Sequence, residues 1–268
     1  MGGLGGRGLG GRGPPGASAL SHAGEVQARL EGLAPGLPPE DLAEYARYHG
    51  ADVAGLWVLG LKVPAQRAAL ASGYSFCEGP AAAVAKAWDE VWRQSDCYEV
   101  MSQPLAYYGE RSRREELSAR WPLLLRWSAR AACWPHADSL SGIYAALLER
   151  EPERVLPALE RWSRGRPPWR RRIGVVSLIY YSSQRERVLP FETLLPLLEA
   201  QVEVDHLYVQ KGLGWALREL GNVYPERTWA WLVQNAPRLS AAAFASASEK
   251  RGPAEREQLK ALRRGRGR

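Results

Sequence analysis

Apolar residues recur at helical spacing along most of the chain, and no stretch alternates apolar and polar positions between hairpin turns. This period predicts helices over roughly 41–49, 64–72, 80–94, 98–108, 113–131, 138–150, 152–163, 168–182, 190–202, 205–220 and 225–235. Breaks fall at Gly50, Gly79 and Pro80, Pro135, Gly165 with Pro167 and Pro168, Gly221 and Pro237. Proline lacks an amide hydrogen and clashes with the preceding turn, and glycine loses more backbone freedom than any other residue. Pro38, Pro39, Glu40 and Asp41 open the first predicted helix, because proline and acids suit a first turn. Many helices of this length with short connections predict an all-α fold. Stacked antiparallel pairs would make it an α-solenoid; without an exact repeat, a helical bundle is the alternative.

Two helices carry polar chemistry on the wrong side of an apolar stripe. In 205–221, Val209, Leu213, Ala216, Leu217 and Leu220 form the stripe. At about 100° per residue, Trp215 projects roughly 145° from the stripe's centre, on the side of Tyr208, Lys211 and Arg218. A tryptophan among cations is either covered by a further helix or part of a wall that contacts a ligand. In 138–150, Leu140, Ile143, Tyr144, Leu147 and Leu148 form the stripe, and Asp138 points away from it. An aspartate at a helix start reads as an N-cap, since its oxygen accepts an orphan amide hydrogen. Trp134 lies four residues before it, across Pro135.

The chain has 268 residues, 46% hydrophobic and 24% charged, which suits one globular domain and excludes wholesale disorder. Its net charge is +7, but the ends hold that excess. Residues 1–24 carry Arg7 and Arg12 with no acid, and residues 251–268 carry seven basic side chains against Glu255 and Glu257. The stretch 25–250 is therefore neutral, so nucleic-acid binding needs a local patch. The densest is 161–172, RWSRGRPPWRRR, with arginines whose planar forks match phosphate oxygens; the plain alternative is a solvated charge run. Residues 1–22 and 251–268 read as Gly/Arg-rich and basic flexible tails around one domain at 23–250. Gly3, Gly5 and Gly8 satisfy a dinucleotide-binding spacing, but no strand precedes them. Three cysteines without paired spacing, no signal sequence and no apolar run near ~20 residues predict a reducing cytoplasm and no membrane span. Cys133 and His136 alone do not make a zinc site.

The stretch 209–220, VQKGLGWALREL, with NVYPERTWAWLVQN and LSAAAFASASEK after it, resembles the AlkD-like DNA alkylation repair glycosylases. CWPHAD at 133–138 and WRRR at 169–172 match further motifs of that family, and ARY at 46–48 with GLKVPAQR at 60–67 is similar to its first helices. The likeness spans about residues 25–250. It implies HEAT-like repeats around a cationic, DNA-holding face, and excision of cationic N3- or N7-alkylated purines from duplex DNA. It also implies no cofactor or metal, a monomer, and a base that stays stacked. The implied catalytic set is Trp134, Asp138, Arg172 and Trp215, with Tyr48 as a further DNA contact.

An alkylated purine that already carries positive charge leaves as a neutral base and needs no general acid. Positive charge develops on the deoxyribose instead, as in glycoside hydrolysis. Asp138 would stabilise it electrostatically, the two tryptophan faces would add cation–π attraction, and Arg172 would hold a backbone phosphate. Arg166, Trp169, Arg170 and Arg171 from the basic run, and Lys211 and Arg218 from the polar face, complete the expected DNA contacts. The alternative function is a non-catalytic helical-repeat scaffold that binds DNA or a protein.

Overall fold

The structure is a computed structural model that describes residues 21–265. Its helices run in the order α1 (His22–Glu31), α2 (Pro39–His49), α3 (Val63–Ala71), α4 (Ala81–Gln94), α5 (Tyr98–Gly109), α6 (Leu117–Trp127), α7 (Trp134–Arg150), α8 (Pro152–Arg164), α9 (Pro168–Val176), α10 (Phe191–Glu199), α11 (Leu207–Val223), α12 (Pro225–Asn235), α13 (Ala241–Ala247) and α14 (Pro253–Gly265). Among the described residues there is no strand, only an isolated bridge between Trp57 and Cys97. None of their helices is long and apolar enough to cross a membrane.

Helices α5, α7, α9, α11 and α13 pack side by side in chain order and form one layer. Helices α4, α6, α8, α10 and α12 lie behind it, each packed on a member of the first layer. This alternation is the predicted helical-repeat solenoid. It arises because each helix has one apolar stripe that a single neighbour cannot cover. The stripes read from α7 and α11 are buried throughout, and Trp88, Trp92, Trp127, Tyr108 and Tyr144 fill the interlayer core.

Differences from the sequence reading have local causes. Helix α7 begins at Trp134, with Pro135 in its first turn, where a missing amide hydrogen costs nothing. Pro135 therefore opens the helix instead of breaking it. The N-cap is Cys133, so Asp138 is an interior helical residue and not a cap. Helix α9 stops at Val176 instead of continuing to residue 182. A 3₁₀ turn, Ser177–Ile179, follows, and Tyr181 then takes a left-handed backbone with φ 43°. The expected basic tail from residue 251 is instead helical over Pro253–Gly265, with Leu259 fully buried. Arg263 fastens it by donating to the carbonyls of Ala236 and Leu239. The expected amino-terminal tail falls outside the described residues up to position 20, while Ser21 caps α1 by accepting from the Gly24 amide.

Candidate active site

Three first-layer helices converge on one ion pair. Arg172 on α9 donates from Nε to Asp138 Oδ1 at 2.7 Å and from Nη2 to Oδ2 at 2.8 Å. Its Nη1 donates to the Tyr208 carbonyl of α11 at 2.6 Å. This approach needs Gly212, where a Cβ would lie 3.3 Å from both Cγ and Nη1 of Arg172. Burial pushes the Asp138 carboxyl above its ordinary value, and the Arg172 charge and hydrogen bonds act in the opposite sense. The carboxylate is not sealed: the Asp138 side chain keeps 15% of its exposure, against 7% for Arg172. The pair thus fixes the position of a carboxylate that still reaches solvent.

Asp138 opens onto a groove of about 1150 Å³, which Trp134, Trp215 and Arg218 also line. One wall is aromatic around Trp134. Its indole nitrogen donates to the Tyr48 carbonyl at 2.9 Å, and its ring stacks on His49 at 6.1 Å and 8°. The Tyr48 ring meets it edge-on at 6.0 Å and is 70% exposed. A second aromatic group surrounds Trp215, with Tyr180 at 5.3 Å and Tyr181 at 5.2 Å. Burial, with Tyr181 and the Asp138 charge adding to it, pushes the Tyr180 hydroxyl up to about 12, so it stays protonated at neutral pH.

His49, Tyr180 and Tyr181 escaped the sequence reading. His49 sits alone in the sequence, and the two tyrosines lie within a stretch whose period continues as helix. The signal was the Tyr-Tyr-Ser-Ser run after the apolar 173–179, a polar interruption that a helix to residue 182 would have left unexplained. The left-handed Tyr181 is uncommon for a bulky residue and is held here against Trp215.

The other expected contacts divide. Arg218 lines the groove but pairs with Glu249 and, at 3.5 Å, with Glu219. Trp169 meets Tyr208 at a tilt, with ring centroids 5.2 Å apart, and Lys211 Nζ lies 5.5 Å over the Tyr208 ring. Neither Trp169 nor Lys211 lines the groove. Arg166 is exposed and Arg170 half-buried. Arg171 departs from the expectation: it donates to the carbonyls of Gly165, Arg164 and Ala200 and to the Gln201 side chain. Its guanidinium braces the α8–α9 and α10–α11 connections and has no free fork for phosphate. Arg172 likewise differs from the phosphate role expected of it, since its fork is occupied by Asp138.

The fold and groove define a helical-repeat protein with a fixed carboxylate among aromatic side chains. The chain belongs to the DNA alkylation repair enzyme family, whose model matches residues 26–250. No curated protein matches the chain. Among solved structures it is similar to a protein described as a predicted DNA alkylation repair enzyme from Enterococcus faecalis. The TM-score is 0.63 at 14% identity, covering 80% of this chain and 96% of the other. That likeness supports the fold, and the family match supports a role in DNA repair.

Proposed function

We propose that this protein is a DNA glycosylase that hydrolyses the N-glycosidic bond of cationic N3- and N7-alkylated purines in duplex DNA. The observation that carries the reading is Asp138, buried yet open to the groove, with both oxygens oriented by Arg172. As the C1′–N bond breaks, its electron pair leaves with the purine, which departs neutral. The positive charge that develops on the sugar is stabilised by the carboxylate. Water then bonds to C1′ and gives up a proton, either to Asp138 or to solvent. A fixed charge of this kind acts without reorganisation at the moment of reaction, and in a water-poor site it outweighs its effect in water.

Trp134 and Trp215 offer ring faces to the cationic lesion or sugar, worth about 0.5–2 kcal/mol each. A groove of about 1150 Å³, lined by residues from His49 to Ser246, suits a duplex whose damaged base stays stacked better than a base drawn into a tight pocket. Uncharged lesions, whose bases are poor leaving groups, are then poor substrates, and bulky cationic adducts are accepted.

The test is base release from a duplex oligonucleotide holding one N7-methylguanine, read as the abasic product, with Asp138→Asn alongside. The wild type is expected to release the base, and the variant to be slower by about 10²-fold or more while duplex binding persists. Full activity in Asp138→Asn removes the carboxylate from the chemistry. Duplex binding without release by the wild type replaces the enzyme with a DNA-binding scaffold.

A further inference from the structure

Next to the groove lies a second cavity of about 460 Å³ into which three arginines converge, Arg111, Arg114 and Arg185. Tyr108, Ser183 and Gln184 also face it. It adjoins the groove, since Gly109, Ile143 and Gln184 line both. Its walls come from the end of α5 and the following turn, from α7 one to two turns beyond Asp138, and from the segment just after Tyr181. None of these arginines takes part in the catalytic ion pair.

The cavity holds more positive charge than its carboxylates answer. Among the described residues, neither Arg111 nor Arg114 pairs with an acid. Arg185 has Glu149 at 3.3 Å, but that carboxylate also accepts the backbone amides of Glu186 and Arg187. The neighbouring Glu116 is taken by Arg113, and Glu110 accepts from Ser112. Burial pushes Arg185 below its ordinary value; Glu149 opposes this, while Arg114 and Arg111 add to it. Two polar atoms are buried there without a partner: Arg185 Nε and the Tyr108 hydroxyl, on side chains almost fully enclosed. Unsatisfied buried donors are costly, and like charges gathered in one cavity repel. A tetrahedral oxyanion answers both, because it accepts several donors at once and arginine forks match its oxygens in pairs. Leu117, Ile143 and Ala146 supply the remaining lining, an apolar edge that suits a sugar next to the anion.

We infer that this cavity is a phosphate-binding pocket that receives a backbone phosphate of the DNA strand flanking the base to be released. The inference rests on the DNA reading of the groove given above. The pocket's role is to fix the register of the duplex against Asp138, and it takes no part in bond cleavage. The same chemistry would bind a free phosphate, and the experiment separates the two sources.

The variant is Arg111→Ala/Arg114→Ala, chosen because neither side chain holds a structural ion pair. Binding of undamaged duplex is measured by fluorescence anisotropy between about 50 and 200 mM salt, the range over which phosphate contacts are lost most visibly. The slope of log K against log salt is expected to flatten by about 0.9 for each phosphate contact removed. Affinity should fall several-fold at low salt for every sequence. Arg93→Ala/Arg126→Ala, exposed on the second-layer helices α4 and α6, controls for net charge; an equal flattening there overturns the inference. A second arm follows thermal unfolding with inorganic phosphate at constant ionic strength. If phosphate stabilises the wild type but not the pocket variant while the DNA slope is unchanged, the DNA assignment falls and a free-anion site takes its place. No effect in either arm overturns the pocket altogether. Loss of base release from the wild type leaves both readouts intact, so failure of the glycosylase reading and failure of the pocket are seen separately.

Discussion

Arg172 grips both oxygens of Asp138, at 2.7 and 2.8 Å, and spends its remaining contact on the Tyr208 carbonyl of the next helix. One guanidinium thus ties α7, α9 and α11 together and sets the angle at which the carboxylate meets the groove. On the glycosylase reading proposed above, its place is behind the reacting group, as a positioning residue.

Arg172→Lys keeps a positive charge but cannot form the fork. Base release from saturated complex is expected to fall about 10- to 100-fold, with duplex affinity within a few-fold of wild type. Arg172→Ala leaves Asp138 without its partner in a largely buried site and should cost about 3–5 kcal/mol of stability, read as a lower unfolding midpoint. Weakened duplex binding with normal release from bound DNA would instead return Arg172 to phosphate binding.

Trp215→Leu keeps an apolar contact for Tyr180 and Tyr181 and removes the indole face. Loss of a cation–π contribution of about 0.5–2 kcal/mol predicts release of a cationic base slower by about 2- to 30-fold. Affinity for undamaged duplex should barely change. Equal losses for cationic and uncharged lesions would tie Trp215 to packing alone.

Gly214 lets α11 and α13 touch. A Cβ there would stand 2.5 Å from the Ala243 carbonyl oxygen and 2.7 Å from Ser246 Cβ. Backbone cannot swing aside as a side-chain tip can, so Gly214→Ala should destabilise by about 1–3 kcal/mol despite the better helix propensity of alanine. The adjacent Trp215 would shift with it and reduce base release. Gly265→Ala, where nothing lies within 4 Å, is the neutral control for thermal unfolding.

His136 gives the fold a pH dependence of known sign. It is fully buried beside Tyr98 and Trp92, and burial pushes it down to about 4 from its ordinary 6.5; the Tyr98 carbonyl opposes this, and the Arg130 and His49 charges add to it. The folded protein keeps the ring neutral, whereas the unfolded chain takes up a proton near 6.5. Its contribution is therefore complete at neutral pH and is lost as pH falls through this window, about 3 kcal/mol in all by pH 4. Urea midpoints at pH 7 and pH 5 should separate less in His136→Gln than in wild type. Equal separation would assign the acid lability to other groups.

The solenoid was legible because most of its helices show their stripe in the sequence. Leu140, Ile143, Tyr144, Leu147 and Leu148 on α7, and Val209 to Leu220 on α11, are buried as their spacing predicts. Proline was read less well: Pro135 looked like a stop, yet the first turn of a helix is where proline is tolerated. The short α1 and α13 and the charged α14 were missed, since Gly, Ala and Arg carry weak apolar periodicity and α14 buries only Leu259 fully.

The candidate site divides along the same line. By itself the sequence determined which chemistry is available: a carboxylate, two tryptophans off their apolar stripes, and arginines at known spacing along two helices. Only the tertiary structure decided that Arg172 faces Asp138 and that Arg171 is spent on carbonyls. It alone decided that Tyr180 and Tyr181 turn onto Trp215, and that Arg185 shares a cavity with Arg111 and Arg114 from far earlier in the chain. Helical spacing fixes a side chain's direction around its own axis. What that direction meets depends on which helix lies opposite and how closely it packs, and here glycines at 212 and 214 set that distance.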